Sequence, residues 1–219
     1  MTIEEFREKA KDEEYAPGWD AVEEAFDIYY QGQKPKHFGT NFAERAMLGG
    51  SEYIDGYSIY QSPHGHKHIV TFGMTELYSD EAAFGGKYSR WGYEMTFKLK
   101  ADNADDCMWA MNLLGNLGRY TYTKESWFEP GHFMSNMGKP LKTNSDSIIT
   151  AILAIEDTEV SGIDTIYGRV DFLQFVGITG EEYEMLKKEP SKAKLLVEAM
   201  KKSNPYLVTD LERKKSYLV

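Results

Sequence analysis

Cysteine is nearly absent: one residue, Cys107, in a chain of 219. A lone thiol excludes an internal disulfide framework and a cysteine-based structural zinc site, and this usage suits a reducing compartment. Long apolar runs are missing as well. No uncharged stretch reaches the roughly 18 residues that a membrane-spanning helix needs. The opening Met1-Thr2-Ile3-Glu4-Glu5 has neither the basic start nor the apolar body of a secretion signal. Positive charge is scarce: 25 Lys and Arg stand against 35 Asp and Glu, a net charge of −10, which disfavours a phosphate backbone as partner. No serine lies in a nucleophile elbow, and no glycine-rich phosphate loop is present. The expectation is a cytoplasmic globular protein with neither nucleic acid nor membrane as partner.

What is present supports a folded core. The chain is 42% hydrophobic and 14% aromatic, enough apolar mass to exclude global disorder. Its length suits one large domain. Charge is uneven: residues 1–30 hold ten acids and three bases, whereas 181–219 hold seven acids and nine bases. The acidic start reads as a solvated helical face or, alternatively, as a docking face for a basic partner. We expect an acidic helix or tail over 1–15 and a single domain over 16–219.

Periodicity sets the elements. After Pro17-Gly18, Val22, Phe26, Tyr29 and Tyr30 recur at helical spacing, Gly32 closes that helix, and Pro35 marks a connecting loop. Strands are expected at 53–60, 66–72, 148–155 and 169–176. The clearest is 91–100, where Trp91, Tyr93, Met95, Phe97 and Leu99 alternate with Gly92, Glu94, Thr96, Lys98 and Lys100. That pattern predicts one buried and one wet face, as in an antiparallel strand. Asp105 and Asp106 are placed to cap a helix over 107–120. Thr179 and Glu182 have the spacing of a capping box, a further helix restarts at Pro190-Ser191, and Leu207-Val208 suits a short final strand. The segment 124–147 has no period yet holds Trp127, Phe128, Phe133, Met134 and Met137. A long aromatic loop of this kind is usually functional. Mixed helices and strands with antiparallel character make the fold class α+β.

The candidate chemistry is sparse. His64, His66 and His68 alternate, and two imidazoles on one strand face can chelate a metal. With His132 they define the alternative reading, a metal-assisted hydrolase. No carboxylate or thiolate companion accompanies them at ligand spacing, so neither metal nor other cofactor is expected. His66 and His68 otherwise line a polar sheet face, with His64 in a turn. Cys107, preceded by two acids in an apolar helix, reads as core. Glu94 is expected on the wet face of its strand, or paired with Glu76 as acid and base. Asn112, Asn116 and Arg119 form a polar stripe that ends where the 124–147 loop begins. With Trp127 and His132 they are the expected partner-binding residues. The competing role for Arg119 is to tie a loop down through its carbonyls.

Several stretches together resemble the suppressor of fused (Sufu-like) domain family. They are Ala16 to Asp20, His66 to Tyr78, Trp91 to Phe97, Asn112 to Tyr120, Pro130 to Met134, Phe172 to Thr179 and Pro205 to Leu211. No single piece is specific, but their common order over residues 16–213 is. The resemblance implies a central mixed, largely antiparallel sheet flanked by helices, and a binding module rather than an enzyme. Animal members carry a second domain and clamp a peptide between the two. Bacterial single-domain members include immunity proteins against toxins. The implied partner is therefore a protein, a toxin domain among the candidates, with a scaffold role as the other possibility.

Overall fold

The alternating stretch around Trp91 forms the middle of the sheet. The structure, a computed structural model, describes residues 1–46 and 49–219. Among these the order is α1 (Ile3–Lys9), α2 (Pro17–Tyr30), β1 (Lys36–Gly39), β2 (Gly56–Gln61), β3 (Lys67–Phe72), β4 (Tyr88–Leu99), α3 (Met108–Lys124), β5 (Phe133–Ser135), β6 (Ile149–Glu156), β7 (Ile163–Thr165), β8 (Gly168–Thr179), α4 (Gly180–Lys188) and α5 (Ala193–Lys201). The strands make one sheet in the order β1-β2-β3-β4-β8-β6-β5, with β7 paired to β8. Among the described strands only β4 and β8 run parallel, so the sheet is mixed and largely antiparallel. This is the expected α+β architecture in a single domain. No helix of the described residues is long and apolar enough to cross a membrane.

Three apolar clusters place the layers. Tyr93, Met95, Phe97 and Leu99 of β4 are buried against Ala110, Met111, Leu114 and Leu117 of α3. On the opposite face, Val22, Phe26 and Tyr30 of α2 cover Tyr60, Val70, Phe72 and Phe172. Beside them, Leu186 of α4 with Leu196 and Met200 of α5 cover Ala151, Leu153, Val176 and Ile178. The start of α2 comes so close to the chain at Glu76 that a Cβ on Gly18 would lie 1.8 Å from the Glu76 carbonyl oxygen. Gly18 and Trp19 both donate their amides to Leu77 O at 3.1 Å. Only a residue without a side chain allows that contact.

The helical signals translate directly. Pro17 sits at the start of α2, and Thr179 with Glu182 forms a complete capping box on α4. Thr2 and Glu5 form a second box on α1, whose Phe6 is buried against Tyr15, Phe84 and Tyr167.

Four expectations need correction. The second face of β4 is not wet: Glu94, Thr96 and Lys98 are all fully buried, Glu94 against residues 71–75 and Thr96 and Lys98 under residues 157–159. Asp105 and Asp106 do not cap α3. They lie in a 3-10 turn whose amides bond the side chain of Asn103 at 2.9 and 3.1 Å. Leu207-Val208 is not a strand; the nearest pairing is a single bridge between Leu99 and Thr209. Lys36–Gly39, expected as a connecting loop, is the edge strand β1; its mostly exposed side chains give no apolar alternation.

Phe97 is fully buried, with Trp109 edge-on at 5.5 Å. Truncating it to alanine in the centre of a packed layer should lower unfolding free energy by about 3–5 kcal/mol. Denaturant melts of Phe97→Ala test this; a loss below about 1 kcal/mol would show that this face is not the core.

Candidate functional site

The site grows from a defect in the sheet. β4 and β8 pair regularly from Tyr93 opposite Asp171 to Phe97 opposite Phe175, and again at Tyr88 opposite Arg169. Between these pairings, Ser89 to Gly92 face the single residue Val170. Such a bulge turns the strand and re-aims its side chains. Arg90 and Gly92 take left-handed φ values of 46° and 81°, which the glycine adopts without cost and the arginine does not.

A buried carboxylate braces this bulge from behind. Glu94 Oε1 accepts the amides of Gly73, Met74 and Thr75, each at 3.0 Å, and the Thr75 hydroxyl at 2.7 Å. Its other oxygen accepts the Thr71 hydroxyl at 2.6 Å. Burial pushes the Glu94 carboxyl above the ordinary range, against these donors. The corner held in this way receives the bulge: Trp91 N–H donates to Met74 O at 3.2 Å. Arg90 meets the buried Glu76 carboxylate at 2.6 Å. Glu94 and Glu76 therefore serve two different anchors, not one acid–base pair.

Where β4 swings away from β8, a groove of about 810 Å³ opens. Tyr88, Arg90 and Trp91 line one side, Trp127 to Pro130 another, and Val160 to Gly162 with Arg169 and Asp171 the far wall. Trp127 and Tyr88 are each 54% exposed, so the rim offers uncovered aromatic surface. Its charges are mixed: Arg169 Nε donates to Asp171 at 2.8 Å, and the Trp127 indole N–H donates to Glu129 at 3.2 Å.

Behind the far wall lies a closed charge network. Asp157 accepts from His68 Nε2 at 2.9 Å, Thr96 at 2.5 Å and Lys98 at 3.0 Å, and from the amides of Glu159 and Val160 at 2.8 and 3.0 Å. Glu159 accepts from His66 Nε2 at 2.8 Å, Lys98 at 2.9 Å, and the hydroxyls of Tyr29 and Ser62 at 3.0 Å. Burial and the nearby carboxylates keep Tyr30 a protonated phenol. It donates to His68 Nδ1 at 2.8 Å, which leaves Nε2–H to donate to Asp157. Burial also lowers the His68 pKa, against the pull of Asp157. For the two carboxyls burial acts upward but is outweighed. His68, Lys98 and Thr96 hold Asp157 far below its ordinary value, and His66 and Lys98 do the same for Glu159.

The histidine motif thus resolves into hydrogen bonds to carboxylates. His66 and His68 point together at carboxylates with Lys98 between them, while His64 lies in the preceding turn, stacked on Tyr206 at 4.0 Å. His132 does not join them; its Nδ1 accepts the Glu129 amide at 3.2 Å on the other side of the groove. Among the described residues no group of three or more His, Cys, Asp or Glu is arranged to hold a metal ion. Burial pushes the Cys107 thiol up to about 11, a packed and unreactive state. Of the residues expected at a partner surface, Trp127 lines the groove. Asn112 is exposed on α3, and Arg119 ties down a loop, though not the one that follows it: its Nε donates to Ser51 O at 3.0 Å and its guanidinium pairs with Glu52. Asn116 touches Arg119 at 3.5 Å. The far wall was missed, because 157–162 has no periodicity. Its only sequence signal is the pair of acids Asp157 and Glu159, legible only once Lys98 is known to be buried.

The family model described as Suppressor of fused protein (SUFU) matches residues 50–214. The Suppressor of fused homologues of Homo sapiens and Mus musculus are each 33% identical over 181 residues, covering 76% of this chain and 37% of theirs. The chain therefore spans little more than a third of the length of these curated relatives. Among solved structures, the Sufu–Fu complex gives a TM-score of 0.81 at 26% identity, covering 93% of each chain. Drosophila Suppressor of Fused gives 0.80 at 26% identity, covering 94% of this chain and 52% of that one. A structure from Neisseria gonorrhoeae described as a SUFU homolog gives 0.62 at 14% identity, covering 92% and 97%, a likeness of fold alone.

Two outcomes follow from the buried charges. As pH falls below about 6.5, the unfolded chain protonates its histidines while folded His68 resists; below about 4.5 the unfolded chain protonates Asp157 and Glu159 while the fold keeps them charged. At these three groups the unfolded state binds more protons, and they outnumber Glu94, whose raised carboxyl acts the other way, so the melting temperature should fall from pH 7 towards pH 4, more steeply at the acid end. A flat profile would show that the network contributes no linkage. Glu94→Ala strands five donors and should cost roughly 3 kcal/mol or more. In Glu94→Gln one oxygen remains and the threonine hydroxyls can turn to accept, so about half of that loss should be recovered in urea melts.

Proposed function

Because the chain belongs to the suppressor of fused family, we propose that it is a non-catalytic protein-binding module, and that a segment of its partner docks in the groove between the β4 bulge and residues 160–162. The observation that carries this reading is the opening of the sheet at Ser89 to Gly92, with Trp127 and Tyr88 half-uncovered on its rim. Tyr, Trp and Arg are the side chains that dominate interface energetics. A volume of about 810 Å³ holds a few residues of a peptide. One relative was solved as a Sufu–Fu complex, so a domain of similar fold does take a protein partner.

For this chain we propose a cytoplasmic setting and a partner of the toxin-domain class, with the chain as neutralising immunity protein or as scaffold. The surplus of acid over base speaks for a protein rather than a nucleic acid. Trp127 is the anchor on this reading. Arg119, engaged with Ser51 and Glu52, shapes the neighbouring loop.

The test is to isolate the protein that co-purifies from the native source, purify it separately and titrate it against variants. Trp127→Ala and Tyr88→Ala should each weaken binding about tenfold or more. Their melting temperatures should stay within about 2 °C of the parent, since both side chains are half-exposed. Undiminished binding by both variants would move the interface elsewhere.

A further inference from the structure

The far wall of the groove holds one feature that the docking reading leaves unused. Lys98 is fully buried on the face of β4 opposite its apolar stripe. An ammonium group has three N–H donors. Here they meet three consecutive residues of one irregular segment: Asp157 at 3.0 Å, the Thr158 hydroxyl at 2.7 Å and Glu159 at 2.9 Å. That segment continues directly into Val160, Ser161 and Gly162, which form the wall. Val160 joins the apolar cluster under α2 and Ile163 beyond the wall pairs with β8, whereas residues 157–159 are held to the sheet by hydrogen bonds and ion pairs. Asp157 also closes a turn by accepting the amides of residues 159 and 160, so the carboxylate that Lys98 holds sets the backbone where the wall begins. His66, just before β3, and His68 of β3 complete the grip, Tyr29 reaches Glu159 from α2, and Gln174 of β8 accepts the Thr158 amide at 3.2 Å.

We propose that Lys98 is a positioning residue for the groove. From inside the sheet it staples residues 157–159, and so it sets the distance between the wall at 160–162 and the β4 bulge. This inference rests on the reading of the groove as the docking site. It adds that the site's width is governed by a side chain that never contacts the partner. Two carboxylates left in the interior without their shared cation cannot keep this geometry, since an uncompensated buried charge draws water or moves towards it.

Hydrogen exchange of the intact chain separates this role from general core stability. In Lys98→Met, which keeps the stem and removes the charge, amides of residues 157–165 should exchange about tenfold faster or more, while those of β3, β6 and α3 stay within about twofold of the parent. Glu159→Gln removes one of the two acceptor charges and should give a smaller change in the same place. It decides the question if Lys98→Met does not fold. Leu196→Ala, on the buried face of α5, is the matched control: it should not single out the wall. Exchange that rises evenly through the sheet, or stays at parental rates in the wall, would overturn the proposal. Trp127→Ala keeps parental exchange on either view, so its binding to the purified partner tests the docking reading separately. A loosened wall with undiminished partner binding would refute the control of width while leaving the staple in place.

Discussion

A sheet covered on both faces has no place for an unpaired charge, and this one carries Lys98 at its centre. Taking an ammonium out of water costs several kcal/mol unless carboxylates and hydroxyls replace the lost hydration. Asp157, Thr158 and Glu159 supply that replacement in three successive residues. The connection between β6 and β7 is therefore drawn over the sheet, and it closes the strip left between the cluster under α2 and the cluster under α4 and α5. A polar seam thus separates two apolar patches on one face. Paired as it is, the seam gives the connection one conformation; with a partner removed it becomes the weakest part of the layer.

The second dependence runs through Glu94. Its carboxylate gathers three successive amides at Gly73 to Thr75, and that corner in turn holds the β4 bulge through Met74. Two buried acids, Glu94 on one side and Asp157 on the other, thus define the two edges of one opening. The aromatic groups at its rim stay exposed because the backbone beneath them is fixed from within. On the proposed docking reading, the buried charged groups build the groove, and the half-exposed aromatic groups on its rim bind by area and shape.

Much of the scaffold was legible in the sequence. The alternation from Tyr93 to Leu99, the stripe Val22, Phe26 and Tyr30, and the Thr179–Glu182 box are local signals, and each forms the element it predicts. The family resemblance, borne by short stretches in a common order, pointed to the mixed sheet. The site was less legible. Trp127 stood out as an aromatic in a loop, but the wall it faces gave no sign. His66 and His68 were visible as a pair, while the meaning of the pair depended on Lys98, a residue that alternation assigns to solvent.

The sequence by itself determined where the strongly periodic helices and strands lie and which face of each is apolar, because those properties repeat within a turn or a two-residue step. Only the tertiary structure decided that the polar face of β4 would be buried, that β4 would run parallel to β8, and that a lysine would find its counter-charges about sixty residues further along the chain. Burial of a strand's second face is set by which helices pack upon it, and the partner of a buried charge is set by which loop crosses above it. Both depend on contacts between distant parts of the chain, which no local pattern encodes.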